Sequence, residues 1–105
     1  MHADIAEKRS ELIALCLRYG VARLEVFGSA ARGADFDPGK SDADFLVEFK
    51  AESALPPLEQ FFGFAEALER LFGRPVDLLE RKALEQSRNY IRRRSILADA
   101  QTVYG

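Results

Sequence analysis

The chain has a single cysteine, a single histidine and no tryptophan among its 105 residues. With only Cys16 there is no internal disulfide, and a cysteine-based zinc site within one chain is not expected. Long apolar runs are missing too: no segment approaches the roughly 18 to 20 apolar residues that span a bilayer. The start, Met1-His2-Ala3-Asp4, has neither the basic residues nor the apolar stretch of a secretory signal, so a cytoplasmic protein without membrane contact is expected. Nor is there an excess of one charge. A formal net charge of -2 argues against a dedicated binder of nucleic-acid backbones, which is usually strongly basic. Any nucleotide would have to be held by metal and local geometry.

What is present is the composition of an ordinary soluble globular protein, with 48% apolar and 30% charged residues. One domain over residues 1–105 is expected, with a modest core and too little chain for a second domain to enclose a substrate. An acceptor would then dock from outside. There is no internal repeat, low-complexity tract or linker.

Helical spacing from about Asp4 to Tyr19 places Ile5, Leu12, Leu15, Cys16 and Tyr19 near one face, and Gly20 suits a left-handed C-terminal cap. Within that stripe Cys16 reads as a core residue, not a reactive thiol. Val21 to Phe27 reads as a strand with Ala22, Leu24 and Val26 on one side and Arg23 and Glu25 on the other. After a turn-rich stretch from Ala34 to Lys40, a second strand puts Phe45, Val47 and Phe49 on one face and Asp44, Leu46 and Glu48 on the opposite one. Leu58, Phe61, Phe62, Ala65, Leu68 and Phe72 then recur as a helix packed on the sheet, stopped by Gly73, Arg74 and Pro75. A short third strand from Val76 to Glu80 and a last helix from about Asn89 to Ala100 complete the expected elements.

Three features carry chemistry. Gly28-Ser29-Ala30-Ala31-Arg32-Gly33 follows the first strand directly. Gly28 there permits close approach, and free backbone N–H groups with the Ser29 hydroxyl converge on an anionic phosphate. Alone, such a pair is more commonly a tight turn with a helix cap. Arg32 is balanced between a phosphate contact and a pairing with a nearby carboxylate. Asp42 and Asp44, two apart on a strand, project to the same side, close enough to share divalent cations, although an isolated Asp-x-Asp is more often a solvated edge. The apolar alternation aims them, since a slip of one residue would turn them into the core. Finally, Asp77 is the only carboxylate in Val76-Asp77-Leu78-Leu79, where an acid is costly without cations or hydrogen-bond donors. Together these features supply donors for a triphosphate and carboxylates for two Mg2+ ions, the set that in-line nucleotidyl transfer needs.

In these residues the chain resembles the minimal nucleotidyltransferase (MNT) family of the DNA polymerase beta-like superfamily, over nearly its whole length. The family's Gly-Ser, Ala-Arg-Gly and Ser-Asp-x-Asp pattern is matched by Gly28, Ser29, Ala31, Arg32, Gly33, Ser41, Asp42 and Asp44, and its third carboxylate by Asp77. The resemblance implies an α/β (α+β) fold, a small mixed β-sheet flanked by helices. It further implies Mg2+-dependent transfer of AMP from ATP, with Asp42 and Asp44 bridging two ions, Asp77 completing the catalytic one, and Gly28 and Ser29 holding the β and γ phosphates. The implied partner is a HEPN-domain toxin, modified on a tyrosine by the MNT protein as its antitoxin within a homo- or hetero-oligomer. Two alternatives stand beside this: an antitoxin that blocks a HEPN ribonuclease by occlusion without catalysis, and transfer to a small molecule such as an aminoglycoside. Arg92-Arg93-Arg94, with Arg88 and Tyr90, reads as a solvated helix face ahead of a docking patch for a partner or RNA. Glu48 is given a structural or supporting role, and terminal His2 none.

Overall fold

The computed structural model describes residues 3–27, 43–51 and 55–105. Gly28, Ser29, Arg32 and Asp42 lie outside the described residues. Buried Ile5, Leu12 and Cys16 recur at helical spacing and seat the N-terminal segment on the sheet. That segment is two helices, α1 (Ala3–Glu7) and α2 (Arg9–Arg18), where the pattern suggested one. The break falls at Lys8, whose ammonium donates to the Leu71 carbonyl at 2.7 Å and lies 5.7 Å from the Phe72 ring centroid. Only tertiary structure supplies that contact.

The sheet contains β1 (Val21–Phe27), β2 (Ala43–Phe49), β3 (Val76–Glu80) and β4 (Gln101–Tyr104) in the order β3-β2-β1-β4. β2 and β3 are parallel, and β1 is antiparallel to β2 and to β4. This is the mixed sheet expected. One strand face differs from expectation, because a register shift between Val21 and Arg23 buries Val21 in place of Ala22.

The crossover between the parallel strands is α3 (Pro57–Phe72), and the chain then returns through α4 (Arg81–Glu85) and α5 (Tyr90–Asp99). Asn89 caps α5, its Oδ1 accepting from the Arg92 N–H at 3.1 Å. Helix α3 ends at Gly73, which has φ of 65°. Alanine there meets no atom within 4 Å, so its cost is purely the left-handed backbone. Gly73→Ala is expected to lower the unfolding free energy by about 1 kcal/mol in urea titration, without changing the denaturant slope. No helix among the described residues is long and apolar enough to cross a membrane.

Both faces of the sheet are covered. On one, Leu24, Val26, Phe45, Val47 and Leu78 pack against α1, α2 and α3. On the other, Phe27 and Leu46 meet Leu84 of α4 and Ile96 of α5 in a smaller cluster. The face that carries Asp44 is therefore apolar further along the strand. The buried row of α3 is Gln60, Phe64, Leu68 and Phe72, whereas Leu58 and Phe62, expected in the packed stripe, are exposed.

Cys16 sits in the larger cluster, and burial pushes its thiol up to about 12. In the unfolded chain the thiol ionises near its ordinary value of 9.0, so folding favours the protonated form. This contribution is complete below about pH 9 and is lost as pH rises toward 12. Native protein is expected to resist thiol reagents at pH 8, with labelling that tracks global unfolding.

Candidate active site

Three strands meet in one row at the same end of the sheet. Phe27, the last residue of β1, pairs with Asp44 near the start of β2, and Asp44 is in register with Asp77 near the start of β3. Leu46 and Leu79 are the next register pair on that face, because side chains two apart on a strand share a side. Neighbouring strands lie about 4.8 Å apart, so the two carboxylates stand side by side where β1 delivers the chain to residue 28 and β2 receives it.

Asp77 is exposed and Asp44 is half-buried. Like charges on facing positions of adjacent strands destabilise a sheet, and a divalent cation held between the carboxylates reverses that sign. Hard cations such as Mg2+ take oxygen ligands, commonly one or two carboxylates together with substrate phosphates and water. The donor set fits such an ion. Among the described residues no group of three or more His, Cys, Asp or Glu side chains gathers as a metal site; Asp42 falls outside them.

The exposure of Asp77 removes the burial cost that its place in the run Val76-Asp77-Leu78-Leu79 suggests. Its register with Asp44 replaces it. The cost argument applies instead to Glu25 in Leu24-Glu25-Val26-Phe27, which is 4% exposed and has partners. Its Oε1 accepts from the Arg81 guanidinium and lies 3.3 Å from Arg23 Nε. Arg81, the first residue of α4, also pairs with Glu85 at 3.3 Å. The network ties α4 across β2 onto β1, covering Leu46 one register step behind Asp44. Sequence reasoning missed it, although an acid flanked by Leu24, Val26 and Phe27 was the signal.

Glu48 is exposed and opposite Arg23, two register steps from Asp44. Within the arginine run, Arg93 is structural: it donates to the Ser87 carbonyl at 2.9 Å and lies 5.6 Å from the Tyr90 ring centroid. Arg88, Arg92 and Arg94 are exposed. A cavity of about 500 Å³ opens at the opposite end of β2 and β3, beside Glu48, Lys50, Glu80 and Arg81, and is distinct from the aspartate row.

A mixed sheet with helices on both faces, carrying paired carboxylates where two parallel strands begin, defines the class of the polymerase beta-like nucleotidyltransferases. The chain belongs to the nucleotidyltransferase domain family, whose model matches residues 9–99. It is 40% identical over 68 residues to the protein adenylyltransferase MntA of Thermococcus cleftensis, a match covering 65% of this chain and 64% of that protein. A solved structure assigned to the minimal nucleotidyltransferases is 31% identical, superposes with a TM-score of 0.72 and covers 96% of this chain and 95% of the other. The fold also recurs at 17% identity and a TM-score of 0.62, over 95% of this chain and 71% of the other, in the complex of a tri-AMPylated Shewanella oneidensis HEPN toxin with its MNT antitoxin.

Proposed function

We propose that this chain is a cytoplasmic, Mg2+-dependent protein adenylyltransferase, the antitoxin of a HEPN/MNT pair, which transfers AMP from ATP to a tyrosine of its HEPN-domain partner. The observation that carries the reading is the register of Asp44 with Asp77. The name of the Thermococcus relative and the AMPylated toxin seen beside an MNT antitoxin support the choice of donor and acceptor.

Asp44 and Asp77, with Asp42, are the residues to hold Mg2+, which when bound supplies positive charge to the triphosphate and the departing pyrophosphate. This reading assigns triphosphate binding to Gly28, Ser29 and Arg32. In the transfer the tyrosine oxygen bonds to the α-phosphorus, the bond from that phosphorus to the bridging oxygen of the β-phosphate breaks, and pyrophosphate leaves. The phenolic proton passes to a carboxylate, a role this reading gives to Asp77, the exposed member of the pair. The surrounding chain fixes the carboxylates by strand register and the half-buried position of Asp44, so their geometry is preorganised.

The test follows two labels. With the HEPN partner present, label in the α-phosphate of ATP is expected to appear on a partner tyrosine and label in the γ-phosphate in released pyrophosphate. Transfer of the γ label to the partner, or of neither label, contradicts nucleotidyl transfer.

A further inference from the structure

The chain has three tyrosines, and one stands apart from the other two. Tyr19 and Tyr104 are packed against the larger core cluster. The Tyr19 ring centroid lies 5.8 Å from that of Phe64, and Tyr104 pairs with Leu24 of β1. Tyr90, the first residue of α5, belongs to neither cluster and is 58% exposed. It is nonetheless held in a defined place. Asn89 caps the turn that begins at Tyr90, and the Arg93 guanidinium stands 5.6 Å from its ring centroid.

The surroundings of that phenol are cationic. From Arg88 to Ala98 the chain holds four arginines and no acid. Arg93 and Arg94 follow Tyr90 by three and four residues on α5, so their side chains share its face of the helix. Arg94 is exposed, as is Arg88 just before the helix. A phosphodiester formed on the Tyr90 oxygen brings a negative charge to the first turn of a ten-residue helix, beside these arginines. Both the helix end and the guanidinium groups favour a phosphate added there.

We infer that Tyr90 is a modification site of this chain, adenylylated by the aspartate site of a second copy; the inference rests on the adenylyl transfer proposed above. The acceptor that reading calls for is an accessible tyrosine on a folded protein, and Tyr90 is the tyrosine of this chain that meets it. Helix α5 is anchored to its own sheet through Ile96, which packs with Phe27 and Leu46, and Tyr90 faces solvent, so its phenol is presented to another molecule. In the step, the Tyr90 oxygen bonds to the α-phosphorus of ATP and the bond from that phosphorus to the bridging oxygen of the β-phosphate breaks. Pyrophosphate leaves with the electron pair, and the phenolic proton passes to a carboxylate of the second copy's site. The product has one negative phosphodiester where the α5 surface was wholly cationic.

Intact-mass spectrometry of the full chain incubated with Mg2+ and ATP, without any partner protein, tests this. The wild type is expected to gain AMP, with peptide mapping placing it on Tyr90. Tyr90→Phe is expected to lose the mass gain while keeping its circular dichroism and its transfer to the HEPN partner. Mixing Tyr90→Phe, which has the site but not the acceptor, with Asp77→Asn, which has the acceptor but not the site, is expected to put AMP on the Asp77→Asn chain alone. An unmodified wild type under conditions in which the HEPN partner is adenylylated overturns self-modification and leaves the proposed function standing. If neither protein gains AMP when both are present, the proposed function fails and this inference with it. AMP on a residue other than Tyr90, or a mixture in which the Asp77→Asn chain stays unmodified, also overturns the inference.

Discussion

Asp77→Asn is expected to reduce nucleotide transfer by at least 10²- to 10³-fold, on the order found when one charge-stabilising group is removed from a catalytic site. The fold should be unharmed or slightly more stable. Asp77 is exposed and in register with Asp44, so neutralising it leaves no cavity and relieves a like-charge pair across two strands. Transfer measured in single turnover falls while the metal-free melting point holds or rises. A residue that merely decorates the surface would leave transfer intact; one that supports the fold would lower the melting point. Asp44→Asn should lose activity equally. Because Asp44 is half-buried and engaged by other groups, the Asp77 variant gives the cleaner separation of chemistry from stability.

Arg81→Ala has the largest expected effect on stability. Glu25 is buried, and Arg81 is its main counter-ion, with the Arg81 side chain itself 21% exposed. Breaking a buried pair from one side leaves a charge without adequate solvation, at a cost of several kcal/mol in fully buried cases. Partial exposure and the second partner, Arg23, lower this to roughly 2–3 kcal/mol, a large share of the about 5–15 kcal/mol typical of small domains. Removing both charges with apolar residues of similar volume, Glu25→Leu with Arg81→Met, should recover much of the loss. Urea titration measures both. A change below about 0.5 kcal/mol for Arg81→Ala would mean that water already solvates Glu25.

Local pattern alone located β1, β2 and β3, the end of α3 at Gly73 and, to within a residue, the extent of α5, because most have a clear period or a specific terminating residue. Strand parity also puts Asp44 on the face opposite Phe45 and Val47, as the register has it, whereas the pairing of Asp44 with Asp77 depends on the parallel alignment of two strands that no local pattern shows. The misses have physical causes. β4 has exposed Gln101 and Thr102 and buried Val103, so pairing with β1 makes it a strand, and apolar alternation does not. Helix α4 has five residues, too few for a period. In α3 two apolar rows overlap, and the polar Gln60 disguises the buried one. Its Nε2 donates to the Tyr19 carbonyl at 2.8 Å, a partner 41 residues away that offsets its burial. The Glu25–Arg81 pair spans 56 residues and became visible only when the sheet placed α4 over β1.

Covalent transfer to a protein partner, the activity proposed for this chain, is tested most directly by the intact mass of that partner. A cognate HEPN-domain protein co-expressed with wild-type chain should carry one or more AMP units on a tyrosine, and none when the chain carries Asp44→Asn, with toxicity restored in the variant strain. An unmodified partner, held non-toxic equally by wild type and by Asp44→Asn, would contradict the account and identify occlusion as the mode of action.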